Sequence, residues 1–428
     1  MKVFFHTLGC KVNRYETERM LQELGDIGYE ATQTPKDADL IVVNSCTVTA
    51  ESDRKTRQIT RRYKRQNPNA TLVLTGCMPQ AFPDDAASLP ADIIIGNGSG
   101  RSIVDEVQSY HKNRTKIMGV TPHPNGELFE AGVLLDFSER TRAYMKIEDG
   151  CNRGCTYCII PKARGRVRSR SLDYIKTEAK NLVAKGFKEL VLVGINLSSY
   201  GMDLGLTLAD AVKAVAEVDD TVRVRLGSLE PDLTTESLLL ALKDIPQFCP
   251  QFHLSLQSGC DATLKRMNRL YTANEYFAVC SKIKSLWNNA SITTDIMVGF
   301  IGESDDEFNQ SLAFAQKVGF LKAHIFPYSV RQGTVAARMS GRVDEQTKSK
   351  RAEEMAAVCD TISKTVMEKT IGQIRSVLFE RTENGYTTGY SEEYMPVFVK
   401  ENKGLHGKVV KVKIKGLMLD GVLAEPVE

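Results

Sequence analysis

Short runs of β-branched and aliphatic residues alternate with amphipathic stretches through the first quarter of the chain. VFFHTLG, DLIVVNS, TLVLTG and DIIIGN are apolar on both faces and too short for helices, so they predict buried parallel strands. Between them, ETERMLQELGDIG and SDRKTRQITRRYKRQN carry the helical period. The alternation predicts an open, doubly wound α/β domain over residues 1–112, and the aperiodic residues 113–136 predict a linker or hairpin excursion.

A second alternation occupies residues 137–368. RAYMKIE, ELVLVGI, TVRVRLGS, QFHLSLQ, SITTDIMVGF and KAHIFPYS read as strands, with helices such as SLDYIKTEAKNLVAKG and DEFNQSLAFAQKVG between them. Six β/α units predict an incomplete TIM-like (β/α)6 barrel, with its chemistry on the loops after the strands. A long charged helix, EQTKSKRAEEMAAVCDTISKTVMEKT, leads out of it. Residues 369–428 then change to strand-like pieces (RSVLFER, YMPVFVK, GKVVKVKIKG, GVLAEPVE), which predict a small β-barrel. The whole is an α/β chain of three domains, as 428 residues would suggest.

Composition adds little to this picture: 42% hydrophobic, 25% charged and 14 prolines describe ordinary globular domains. A net charge of +3 is too small to diagnose a polyanionic partner by itself. MKVFFHTLGC turns polar too soon for a signal peptide, and no apolar run reaches the roughly 18 residues of a membrane span. A cytoplasmic protein without membrane contact is therefore expected. In that reducing compartment ten cysteines point to metal or redox chemistry rather than disulfides.

Three of them, in CNRGCTYC, stand directly after the first barrel strand as Cys151, Cys155 and Cys158. A structural zinc site would need a fourth ligand, and no further Cys or His lies near in sequence. Three thiolates on a [4Fe-4S] cluster would leave one iron for a ligand that is not protein. Cys10, Cys46 and Cys77 end three strands of the first domain, in TLGC, VNSC and LTGC. The carboxyl ends of parallel strands share one edge, so these three are expected to meet. Cys280 and Cys359 lie in helical patterns and read as core packing. Cys249 and Cys260 have no ligand-like spacing, and none of these four is given a role. No phosphate loop, zincin pair or nucleophile elbow is present, and GNGSG at 96–100 reads as a turn.

The C-x3-C-x2-C spacing, with Tyr157 before the last cysteine, resembles the radical S-adenosylmethionine superfamily. TLGCKVNRYETE, VNSCTVTAESDRKTRQ and TGCMPQ narrow the resemblance to its methylthiotransferase branch. That likeness implies two [4Fe-4S] clusters and S-adenosyl-L-methionine. One cluster would sit on Cys151, Cys155 and Cys158, and an auxiliary, sulfur-carrying one on Cys10, Cys46 and Cys77. It also implies a 5′-deoxyadenosyl radical that abstracts hydrogen from C2 of an adenine, followed by delivery of a methylthio group. Within the branch, TLGCKVN and NSCTVT resemble the members acting on N6-threonylcarbamoyladenosine (t6A) beside the tRNA anticodon. NSC stands where the family more often has N-T-C. The resemblance leaves isopentenyladenosine in tRNA, or a ribosomal protein, as alternative substrates. A non-catalytic iron-sulfur RNA-binding protein is the alternative of another class.

Around the barrel, Asn196, Ser228, Glu230, Gln257 and Asp295 follow strands and, with Tyr157, are candidates for cofactor or substrate contact, although such residues also serve as turns and caps. RKTRQITRRYKR holds seven basic residues, KARGRVRSR five and VKENKGLHGKVVKVKIKG six, which makes RNA contact the expected use of these runs. The last run falls in a domain that resembles the RNA-binding TRAM module. The expected partners are thus a tRNA anticodon loop, with its target base extruded, and an electron donor such as flavodoxin or ferredoxin. The carboxylate of t6A would suit an arginine, and Arg331, just after the last barrel strand, is the candidate.

Overall fold

The computed structural model describes residues 1–98, 101–129, 132–137 and 141–427. Part of the GNGSG turn and parts of the linker therefore lie outside the described residues. The first domain is a six-stranded, all-parallel sheet made of β1 (Lys2–Thr7), β2 (Glu30–Ala31), β3 (Leu40–Ser45), β4 (Thr71–Gly76), β5 (Ile93–Ile95) and β6 (Ile117–Gly119), in the order β2-β1-β3-β4-β5-β6. β3 and β4 are buried along their whole length, which is why their sequences show no alternation. Helices α1 (Lys11–Asp26) and α2 (Ala50–Gln66) connect the first strands. Thr49 caps α2 by accepting from the Ser52 amide.

The stretch expected to be a linker does more than connect. It contributes β6 to the sheet edge, and it then buries Leu134 and Phe137 in the core of the second domain. The Leu134 amide donates to Glu178, and Gln22 of α1 bonds Val133 and Leu135. These anchoring contacts show no period and so leave no mark in the sequence.

The second domain is a half-open parallel barrel of the six strands expected. They are β7 (Arg142–Lys146), β10 (Glu189–Val193), β11 (Arg223–Leu226) continued past Gly227 by β12 (Ser228–Leu229), β13 (Gln251–Leu254), β14 (Ser291–Val298) and β15 (Lys322–Pro327). A two-stranded clasp, β8 (Glu148–Asp149) with β9 (Arg168–Ser169), brackets the CNRGCTYC loop. The long helix Glu345–Glu368 packs on β15 and leads to the third domain.

That domain is a closed barrel of β16 (Ile374–Glu383), β17 (Tyr386–Ser391), β18 (Pro396–Lys400), β19 (Val409–Met418) and β20 (Gly421–Pro426). It is pinned to the foot of the central barrel. Arg142 pairs with Glu380 at 2.5 Å, and Arg225 donates to the carbonyls of Ser391 and Glu392 at 3.1 and 2.8 Å. Among the described residues no helix is long and apolar enough to cross a membrane.

Candidate active site

Two glycines let the auxiliary cysteines meet. Gly9 (φ +105°) precedes Cys10, and a Cβ there would come within 2.8 Å of Cys46 Cβ. Gly76 (φ +94°) precedes Cys77, and a Cβ there would lie 2.5 Å from the Asn44 side-chain oxygen. Only glycine holds such a backbone conformation without strain. Asn13 on α1 ties the loops together, donating to the Ser45 carbonyl at 2.9 Å and that of Leu8 at 3.1 Å. Cys10, Cys46 and Cys77 are close enough that their charges act on one another. Burial pushes the Cys77 thiol up to about 12, so it favours a proton unless a cation or metal replaces it.

The barrel cysteines sit in a loop closed by the backbone of Gly150 (φ +88°) against Arg166. Donors surround their sulfurs. The amide of Arg153 meets Cys151 at 3.4 Å, that of Ile160 meets Cys158 at 3.4 Å, and the Arg269 guanidinium meets Cys155 at 3.2 Å. Hydrogen bonds to cysteine sulfur are a principal means of setting a cluster's potential. Burial pushes Cys151 up to about 11 and Cys158 to about 12.

Among the described residues, no three His, Cys, Asp or Glu side chains close on a single point as ligands of one ion would. In a four-iron cluster each cysteine takes its own iron, so the two triads do not have to close in that way. A further observation fits a cofactor beside the barrel triad. The Asn196 amide nitrogen lies 3.7 Å from Cys151 Sγ, while its Oδ1 is buried and meets no protein donor. An amino-bearing cofactor would supply that donor.

The other expected residues divide between two places. Tyr157, Asn196 and Glu230 gather around the barrel triad. Tyr157 packs edge-on against Phe300 at 6.1 Å, and Glu230 is ion-paired to Arg269. Gln257 holds a left-handed backbone (φ +65°), its amide bonded to the Asp295 carbonyl and its carbonyl to the Met297 amide. Ser228 and Asp295 line a cavity of 980 Å³ that fills the open lumen of the barrel. Asp295 there pairs with His253 at 3.4 Å. Cys10, Lys11 and Val12 of the first domain form one wall of this cavity, and Tyr390 and Tyr394 of the third form part of its foot.

Arg331 stands apart. It is 4% exposed and outside the cavity lining, with its guanidinium on Asp53 at 2.6 Å, on Thr47, and over the Phe82 ring at 4.7 Å. It therefore clamps the first domain to the barrel and does not face a substrate. Three of the five basic residues of KARGRVRSR also differ from expectation, while Lys162 and Arg166 are exposed. Arg164, Arg168 and Arg170 are 0%, 6% and 1% exposed and sit in ion-pair networks rather than on an RNA-facing surface.

Arg164 is the functional residue most hidden from sequence reading. Its Nε is 3.1 Å from Cys77 Sγ, and the rest of the guanidinium binds Glu16, Asn13 at 3.1 Å and Asp149 at 3.3 Å. It joins the loop after the barrel triad to the auxiliary triad. Only its place six residues after Cys158 could have hinted at this. Arg269, which donates to Cys155 from another loop, is hidden in the same way.

Comparison with known proteins bears on this geometry. Residues 2–96 match the "Uncharacterized protein family UPF0004" and residues 145–315 the "Radical SAM superfamily". A Thermotoga maritima protein named threonylcarbamoyladenosine tRNA methylthiotransferase MtaB is 38% identical over 99% of this chain and 96% of its own length. The chain belongs to the radical S-adenosylmethionine methylthiotransferase family. Its Bacillus subtilis relative of the same name is 37% identical over 96% of the chain and 93% of its own length. A family member from Pelotomaculum thermopropionicum, named tRNA-2-methylthio-N(6)-dimethylallyladenosine synthase, is 34% identical over 96% and 94%. Among solved structures, the radical S-adenosylmethionine methyltransferase TsrM from Kitasatospora setae shares the fold. Its TM-score is 0.56 at 13% identity, over 90% of this chain and 80% of that one. The methylthiotransferase family works with [4Fe-4S] clusters and S-adenosylmethionine. The two cysteine triads and the unpaired Asn196 oxygen are in keeping with both.

Proposed function

We propose that the chain is a cytoplasmic tRNA methylthiotransferase that converts t6A at position 37, beside the anticodon, to 2-methylthio-t6A. The observation that carries this reading is the pair of cysteine triads on either side of one domain contact, joined by Arg164, in a chain alignable almost end to end with relatives named for this activity. When bound, the barrel cluster with S-adenosylmethionine supplies the hydrogen-abstracting chemistry and the auxiliary cluster supplies the sulfur.

The protein's own part is to bind and enclose. Asn196, Tyr157 and the Glu230–Arg269 pair surround the barrel triad, while the buried Arg164 and Asn13 fix the auxiliary loops. The lumen admits a base extruded from the anticodon loop. Its lining carries five lysines and arginines against three aspartates, an excess that suits a nucleoside with a carboxylate better than one with an apolar isopentenyl group and so favours t6A. An electron donor of the flavodoxin or ferredoxin kind completes the system.

Mass spectrometry of tRNA nucleosides from cells lacking the protein tests the assignment. 2-Methylthio-t6A should vanish while t6A persists, and the wild-type chain, but not Cys77→Ala or Cys158→Ala, should restore it. Loss of the methylthio-isopentenyl nucleoside instead would overturn the choice of substrate.

A further inference from the structure

The lumen cavity holds a cation that the cluster chemistry does not use. Lys11 follows Cys10 directly, begins α1 and lines the cavity. Tyr394 of the third domain, Arg142 and Arg225 line the same cavity, and Glu189 lies against the two arginines. Of the carboxylates here, Glu189 and Glu380 are taken, while Asp295, Asp360 and Asp420 line the same cavity. Glu189 binds Arg225 at 2.7 Å and lies 3.7 and 3.9 Å from Arg142 and Arg223, and Glu380 binds Arg142. No carboxylate among the described residues is recorded in ion-pair contact with Lys11. Lys11 is exposed to the open lumen, and the cations gathered there repel one another less once an anion joins them.

Tyr394 provides an independent sign. It adopts φ +67°, a region that bulky residues rarely enter. In that conformation its ring stacks on Tyr390 at 4.6 Å and lies under Arg142 and Arg225 at 5.1 and 4.9 Å. The turn that joins β17 to β18 sets this conformation, with the Tyr394 amide on the Ser391 carbonyl, and it leaves the ring lining the cavity beside the two arginines.

We propose that Lys11 and Tyr394 form a carboxylate subsite that receives the threonylcarbamoyl group of the substrate. The inference rests on the reading of t6A as substrate and goes beyond it by assigning the residues that read the modification. Adenine chemistry supports the placement, because N1 is flanked by C2 and by C6, which bears the N6 nitrogen, so C2 and N6 lie on one edge of the base. A base whose C2 approaches the auxiliary triad must send its N6 substituent nearby. Lys11 is rooted one residue, about 3.8 Å between Cα atoms, from Cys10. Lys11 and Tyr394 line the one cavity, from the first domain and the third. The same positive charge could instead hold an RNA phosphate, and the test separates the two.

Holoenzyme carrying both clusters is titrated with three anticodon stem-loops at fixed salt, holding t6A, the methyl ester of t6A, or unmodified adenosine at position 37. The wild type should bind the t6A form on the order of ten- to a hundredfold more tightly than the ester, the range of a hydrogen bond to a charged group. Lys11→Gln should erase that gap and Lys11→Arg should keep most of it. Tyr394→Phe, on another domain and away from both triads, should narrow it several-fold, and it serves if Lys11→Gln loads its clusters poorly. An unchanged gap in Lys11→Gln and Tyr394→Phe overturns the subsite. Equal loss on all three RNAs in Lys11→Gln also overturns it and assigns the lysine to a phosphate. If the wild type makes no methylthio product from the t6A stem-loop, it is the substrate reading that fails; conversion by the wild type with an unchanged gap in the variants rejects the subsite alone.

Discussion

At the scale of single residues, Arg331 shows how an arginine's surroundings decide its work. Placed after the last barrel strand, it looked like a reader of the substrate carboxylate. Its guanidinium is instead buried on Asp53. Removing one partner of a buried pair leaves the other charge uncompensated, at a cost of about 3–5 kcal/mol. Arg331→Met should therefore lower the unfolding midpoint sharply, and adding Asp53→Asn should recover part of the loss. A double-mutant cycle of denaturation midpoints checks this, and additive effects would sink the clamp. What sequence showed at this scale was placement. The two cysteine triads were legible because strand ends and C-x3-C-x2-C spacing fix where those residues go. Arg164 and Arg269, which donate to the sulfurs of Cys77 and Cys155, were not, since each comes from a different loop or domain and only the tertiary packing brings it to sulfur.

Among the elements, the third domain repeats the lesson in its missing strand. Four of its five strands were legible from alternating apolar residues, but β17 was not. Its inward positions are Thr387, Gly389 and Ser391, which carry no hydrophobic signal. Small residues are required there because a Cβ on Gly389 would overlap the backbone of Leu378 and Phe379 in β16. Gly389→Val should open this barrel, at the upper end of the roughly 1–3 kcal/mol that overpacking costs. Limited proteolysis read by mass spectrometry should show new cuts in β17 and β18, with the central barrel still protected. Cuts spread evenly over the chain would mean that the three domains unfold as one. KARGRVRSR failed in the opposite direction. Charge density was visible, but the direction of the side chains was decided by Glu16, Asp149 and Glu178, which are remote in sequence or on another element.

For the whole molecule, the runs that do face solvent mark where RNA can lie. Arg54, Lys55, Arg61, Arg62 and Arg65 are exposed on α2, and Lys411, Lys413 and Lys415 alternate outward along β19. Each phosphate contact on a single strand contributes about 0.7 to the slope of log affinity against log salt. Changing all three β19 lysines to glutamine should weaken tRNA binding and flatten that slope by roughly 2. An unchanged slope would place the RNA elsewhere.

The lumen is walled by three domains, and only two of them carry cysteines assigned to clusters. A chain cut short after the helix Glu345–Glu368 would keep all six sulfurs yet lose Tyr390, Tyr394 and the rest of the cavity's foot. A measurement of iron would score such a fragment as whole, while the room in which a base has to be held would have no floor.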